Sequence, residues 1–241
     1  MIKMNSGRVI RRVVIWNFRK TAKTLIILAV CTFLLLYGYA RWTGDLQELF
    51  EVYLGGFQRS ALLALLWLLV HLPVEGFLYS NLMDMVNKSF YTKILKYKSK
   101  ERYLHASLWT LAPQILTYYI TGYGLLLILV GRVDMKLIFW QVGLAGLESL
   151  NIILAALLIS MIDVRWENIA FPAVVIIELV NCILCGKANG IFRFLPFTQG
   201  KLLLQKEYFD NGVALVTSLI ILCIVLICTA MIWVRKDERS E

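Results

Sequence analysis

Apolar runs long enough to cross a bilayer recur along this 241-residue chain, and that recurrence limits its possible folds more than any single motif. A hydrocarbon core about 30 Å thick is crossed by roughly 20 helical residues. Runs of that order lie at about 24–41, 60–80, 107–130, 137–162, 170–186 and 212–234. Backbone amides cannot go unsatisfied in hydrocarbon, so each run is expected to be a helix. With 59% hydrophobic residues and a mean hydropathy of +0.70, the chain reads as an all-α polytopic membrane protein with six spans. Residues 1–23 precede a single transmembrane domain over 24–241.

Charge sets the orientation. Residues 81–106, NLMDMVNKSFYTKILKYKSKERYLHA, carry Lys88, Lys93, Lys96, Lys98, Lys100 and Arg102 against only Asp84 and Glu101. Positively charged connections stay on the cytoplasmic side, which places this segment inside. Alternating the six spans from there puts 17 of the 25 Lys and Arg residues on the inner side, giving an N-in, C-in topology. The formal net charge of +9 therefore marks headgroup contact and topology, and no soluble domain displays it to nucleic acid.

Residues 6–20, SGRVIRRVVIWNFRK, project as a two-faced helix with Val9, Ile10, Val13, Val14 and Trp16 opposite Arg8, Arg11, Arg12 and Arg19. That pattern suits an interfacial helix at the inner headgroup boundary. Gly38-Tyr39-Ala40 superficially fits a signal-peptide cleavage site, but the basic leader is long and further spans follow, so a retained first helix is expected. Residues 42–59 read as a short outer loop with Trp42 near the interface. Pro73 falls inside span two, where a kink is expected, Pro113 inside the first turns of span three, and Pro172 near the start of span five. Residues 187–211 are too polar to cross and too apolar for a free loop, so they read as an outer helical or re-entrant hairpin.

Ionisable side chains inside spans are costly unless they meet a partner or water, which makes them the first candidates for function. At about 1.5 Å of rise per residue, Glu148 of span four and Glu178 of span five reach mid-membrane, with His71 of span two at similar depth and Glu75 one turn further in. Asn151 and Asn181 lie a turn from the two glutamates. Two readings stand for this layer: an acidic lining for a cationic or amphipathic solute, or hydrogen bonding that holds helices together. The basic segment also carries two readings, as a docking surface for a partner or as an anchor to anionic lipid.

Enzyme signatures are missing. The sequence has no HExxH and no GxSxG, and Gly200-Lys201 is followed by Leu202 in place of the Ser or Thr of a phosphate-binding loop. His105 belongs to the basic segment, away from His71, so no metal ligand set forms and no metal is expected. His71 and Glu75, four apart on one helix face, form the single pair with catalytic spacing. All five cysteines, Cys31, Cys182, Cys185, Cys223 and Cys228, fall within apolar runs; Cys182 and Cys185 make a CxxC, but inside a lipid-embedded helix the pair is read as small buried hydrophobes and not as a redox or zinc pair.

The order of elements resembles a type-2 ABC transporter permease, the six-helix membrane subunit of many bacterial exporters. Tyr91 to Trp109, YTKILKYKSKERYLHASLW, is similar to the family's segment leading into span three, although Lys100-Glu101-Arg102 stands where a Ser-Arg or Ser-Arg-Lys is usual. Leu195, Pro196 and Phe197, within LPFTQG, resemble the family's outer-hairpin element. The short chain looks most like permeases of small-peptide exporters, including lantibiotic self-immunity systems. The resemblance implies a bacterial plasma-membrane protein that pairs with a second permease chain and a cytoplasmic ATPase dimer. ATP and Mg would then sit on that ATPase, with no cofactor here. It also implies a coupling helix at about 98–105 that presents Lys98, Lys100, Arg102 and Tyr103 to the ATPase.

Overall fold

The computed structural model describes residues 6–54, 61–87, 100–130, 135–187 and 212–238. Among these residues the chain is helical almost throughout, as the apolar runs require. Seven α-helices follow in order: α1 (Ser6–Thr43), α2 (Leu46–Tyr53), α3 (Ala61–Asn87), α4 (Lys100–Val130), α5 (Met135–Ile162), α6 (Glu167–Lys187) and α7 (Gly212–Glu238). A single 3-10 turn, Val164–Trp166, joins α5 to α6. Among the described residues four stretches are long and apolar enough to cross a membrane: Val14–Thr43, Leu62–Asp84, Leu104–Leu129 and Met135–Ile162. Helices α6 and α7 pack against this set, and the apolar part described within α7 is the shorter Leu219–Ile232.

Helix direction follows from which side chains meet. Gln114 bonds Thr21 and, further along both helices, Tyr118 bonds Thr32, so α1 and α4 run the same way. Ser149 bonds Glu75 and Ser160 meets Met83, so α3 and α5 also run together. Tyr123 reaches Tyr53 at one end of the bundle, and Tyr79 reaches the Glu167 carbonyl at the other. Consecutive long helices therefore alternate in direction, and the last turns of α3 lie at the same end as the start of α6.

The outer surface looks like one facing lipid. Leu35, Ile128 and Phe139 are each more than three-quarters exposed or nearly so, at 75%, 78% and 77%. Large apolar side chains turned outward at this density fit a surface covered by lipid or by another protein and not one bathed in water. Of the six tryptophans whose side chains are described, five are exposed and lie toward helix ends: Trp16, Trp109 and Trp166 at the end where α3 finishes, Trp42 and Trp140 at the other. Amphipathic rings gather in two such belts at the water interfaces of a membrane.

Three expectations change on inspection of the backbone. The interfacial helix and span one are one unbroken helix, α1, with no break near residue 23. Its buried stripe, Asn17, Thr21, Leu25, Ala29 and Phe33, steps by four residues through both parts, so the leader docks on α4 through Thr21 and Gln114 (2.7 Å). Trp16, expected on the apolar face, is exposed, with Lys20 Nζ 5.7 Å above its ring. Second, residues 100–105 are the first turns of α4 and continue without interruption into span three, in place of a separate coupling helix at about 98–105. Third, the segment read as a short loop after span one contains α2. Gly44, at φ 80°, ends α1 in the left-handed region that suits glycine, and Asp45 Oδ1 accepts the Gln47 N–H (2.9 Å) to start α2.

Helix α2 is a packed element. Leu49, Val52 and Tyr53 are buried, and the Tyr53 ring meets Phe33 and, edge-on at 5.3 Å, Tyr123. Burial pushes the Tyr53 phenol well above its ordinary range, so it stays neutral at any physiological pH. The Tyr123 hydroxyl donates to the Tyr53 carbonyl at 2.5 Å, tying α2 to α4. Tyr123→Phe should cost about 1 kcal/mol. It should also speed amide exchange over residues 46–53, which hydrogen-exchange mass spectrometry reads directly. Unchanged protection there would show that α2 is held by its apolar face alone.

Pro73 lies within α3, whose helix continues through it. A proline at 73 cannot donate to the carbonyl four residues earlier, which loosens the ladder locally. One residue on from that carbonyl, Val70 O accepts the Tyr118 hydroxyl at 2.6 Å, so a phenol from α4 supplies a hydrogen bond beside the interruption.

Candidate buried polar site

Three helices converge on the candidate site. His71 and Glu75, one turn apart on α3, are both fully buried, as the spacing suggested. Across from them, Tyr119 of α4 bonds His71 Nδ1 through its hydroxyl. The same hydroxyl lies 2.6 Å from Ser149 Oγ of α5, and Ser149 Oγ donates to Glu75 Oε1 at 2.7 Å. His71, Tyr119, Ser149 and Glu75 thus form one continuous chain of hydrogen bonds whose two ends are an imidazole and a carboxyl.

The chain is walled by aromatic rings. Trp67, one turn before His71, stacks on the imidazole with centroids 3.8 Å apart. Tyr118 meets the Tyr119 ring edge-on at 5.3 Å, and Tyr123 lies one turn beyond, its centroid 6.2 Å from that of Tyr119. Rings on both sides exclude water and fix the imidazole plane. In so dry a setting, a polar group without a hydrogen bond costs several times what it does at a surface.

The other predicted members are placed separately. Asn151, fully buried on α5, faces α7: Cys223 Sγ lies 2.7 Å from its Oδ1, and its Nδ2 points to Leu219 O at 3.4 Å. Glu148 and Glu178 are fully buried and Asn181 nearly so. Of the six predicted residues, then, His71 and Glu75 are joined in one chain, and Asn151 belongs to a second contact on the α7 side.

Several participants escaped sequence reasoning. Tyr119 and Ser149, the two central links, are ordinary residues in membrane helices, and only the meeting of three faces selects them. Gln141 and Gln114 are buried as well, and their amides could have been flagged by the same criterion applied to Glu148. Of the cysteines with described side chains, only Cys223 is buried; Cys31 and Cys228 face outward. Cys182 and Cys185 lie in the uninterrupted helix α6. No cluster of metal-ligating side chains occurs among the described residues.

Lys100, Arg102 and Tyr103 lie in the opening turn of α4, and Lys98 lies outside the described residues, as do Leu195, Pro196 and Phe197 of the expected outer hairpin. No family model, no curated protein and no solved structure matches this chain. Its fold and site define a class on their own terms: a helical membrane bundle with an acid and an imidazole buried in its middle.

Proposed function

We propose that the chain is the membrane-spanning permease subunit of a bacterial ABC exporter for an amphipathic or cationic, lantibiotic-like peptide, driven by a separate cytoplasmic ATPase dimer. The observation that carries this reading is the extension of two helices beyond their apolar stretches. Helix α3 runs to Asn87, past Asp84, and α4 starts at Lys100, ahead of Leu104. Residues 88–99, which hold four of the six cations of the basic segment, connect these two helix ends. A push on that connection travels along α3 and α4 to His71, Glu75 and Tyr119. A second permease chain, a copy or a relative, completes the path. Glu75, Glu148 and Glu178 supply the acidic complement to a cationic cargo.

Co-expression with a candidate ATPase tests the proposal. The two chains should co-purify, and reversing Lys98, Lys100 and Arg102 together to Glu should abolish the complex without affecting membrane insertion. If no ATPase co-purifies with the native chain, the reading falls. If the triple reversal leaves the complex intact, the basic segment is a lipid anchor and not the docking site. Stimulation of ATP turnover by a lipid, a glycan or a drug in place of a peptide would keep the machine and change the cargo.

One observation favours a reading of another class, a membrane enzyme or sensor. The joined imidazole and carboxyl, His71 to Glu75, form an acid–base pair of the kind such proteins use. Activity or signalling by the purified chain without ATP would support that reading over the permease.

A further inference from the structure

The buried hydrogen-bond chain has a property that no transport cargo requires. Its links are two hydroxyls, and each hydroxyl both donates and accepts. Such a chain can be drawn in two directions. In one, His71 Nδ1–H donates to Tyr119, Tyr119 donates to Ser149, and Ser149 donates to Glu75 carboxylate. In the other, Glu75 is a carboxylic acid that donates to Ser149, Ser149 to Tyr119, and Tyr119 to bare Nδ1. Both directions satisfy every link.

We propose that His71 and Glu75 share one exchangeable proton through Tyr119 and Ser149, so that the centre of the bundle is a proton-binding site. Passage between its states balances. The Nδ1 proton goes to Tyr119 Oη as the tyrosine proton goes to Ser149 Oγ and the serine proton to Glu75 Oε1. With Nε2 keeping its own proton, an imidazolium and a carboxylate become a neutral imidazole and a carboxylic acid, with no change in net charge.

Geometry favours sharing over two independent groups. The Ser149–Glu75 and Tyr119–Ser149 separations are 2.7 and 2.6 Å, inside the range of well-made O–H···O bonds. With Nε2 keeping its proton and Oε2 bare, one proton too many or too few on the chain leaves a donor facing a donor or an acceptor facing an acceptor. Among rings that exclude water, such a mismatch is expensive. The protons at the two ends are therefore coupled beyond their mutual charge.

Other titratable groups surround the site. Tyr118 and Tyr123 of α4 are committed to the Val70 and Tyr53 carbonyls. Glu148 of α5 and Glu178 of α6 are buried on helices packed against α3, and Glu167 opens α6 at the far end of α3. Cys223 of α7 is engaged with Asn151, and α1 contributes Thr32 at this level. The inference needs neither a cargo nor an ATPase, so it stands or falls apart from the permease reading.

The test uses the full chain in lipid nanodiscs, titrated with pH. The chain has only two histidines, so 15N spectra of the imidazoles are assigned with a His105→Gln variant, and the infrared carboxylic-acid band of Glu75 with Glu75→Gln. In the native chain the His71 and Glu75 signals should change together, at one midpoint. Tyr119→Phe and Ser149→Ala, which cut the chain at different links, should each separate the two midpoints by at least about tenfold in proton concentration. Glu148→Gln and Glu178→Gln should leave the coincidence intact. Two separate midpoints in the native chain would overturn the proposal. So would a coincidence that survives in whichever cut variants fold, since charge alone then couples the groups across one helical turn.

Discussion

Trp67→Ala should destabilise the bundle by about 3–5 kcal/mol, the usual cost of emptying a large aromatic site in a packed interior. Trp67 is 1% exposed and among the largest side chains that the helices fully enclose. Truncating it opens a cavity against α3's own His71, whose ring it stacks upon at 3.8 Å. The neighbours cannot collapse into that space easily, because His71 is held by Tyr119 and Tyr119 by Ser149. Trp42 makes the control: it is 84% exposed, and Trp42→Ala should shift stability by no more than about 0.5 kcal/mol. Reversible unfolding in mixed micelles, followed as the denaturing detergent fraction rises, measures both. Equal costs would mean that the Trp67 face is not the interior packing surface of α3.

How much of this was readable beforehand depends on the kind of residue. The long apolar helices announced themselves because hydrocarbon leaves the backbone no alternative to helix. His71 and Glu75 were visible as a pair because their spacing of four is a property of one helix. Tyr119 and Ser149 were not, since their role is set by the rotation of α4 and α5 relative to α3, which periodicity on a single helix does not encode. The leader of α1 differs from its sequence pattern for a related reason: its cationic and aliphatic arcs are legible, but Asn17 and Thr21 continue the buried stripe of Leu25 and Ala29. Helix α2 did carry a signal. Leu46, Leu49, Phe50 and Tyr53 follow the i, i+3, i+4, i+7 pattern of an amphipathic helix, and the brevity of the segment masked it.

Whether the central hydrogen bonds exist for stability or for function is decided by removing them in two ways. Ser149→Ala takes away both the donor to Glu75 and the partner of Tyr119, and should cost about 2 kcal/mol because it strands polar groups in a dry interior. Interhelical hydrogen bonds in membranes average only about 0.6 kcal/mol, so most of that loss comes from desolvating the carboxyl and the phenol that each lose a partner, and not from the lost bond itself. Adding Glu75→Met to Ser149→Ala removes the stranded group and fills its volume with a flexible apolar side chain. The double variant should therefore recover about 1 kcal/mol or more relative to the single one. Export is expected to respond differently. Cells relying on the chain for resistance to a cationic peptide should lose protection in the double variant although it is the better folded of the two, since Glu75 is then absent from the acidic complement. A double variant that regains both stability and protection would reduce the whole chain from His71 to Glu75 to a device for holding three helices together. One that regains stability alone would show that the buried carboxyl is kept at a cost to folding because transport uses it.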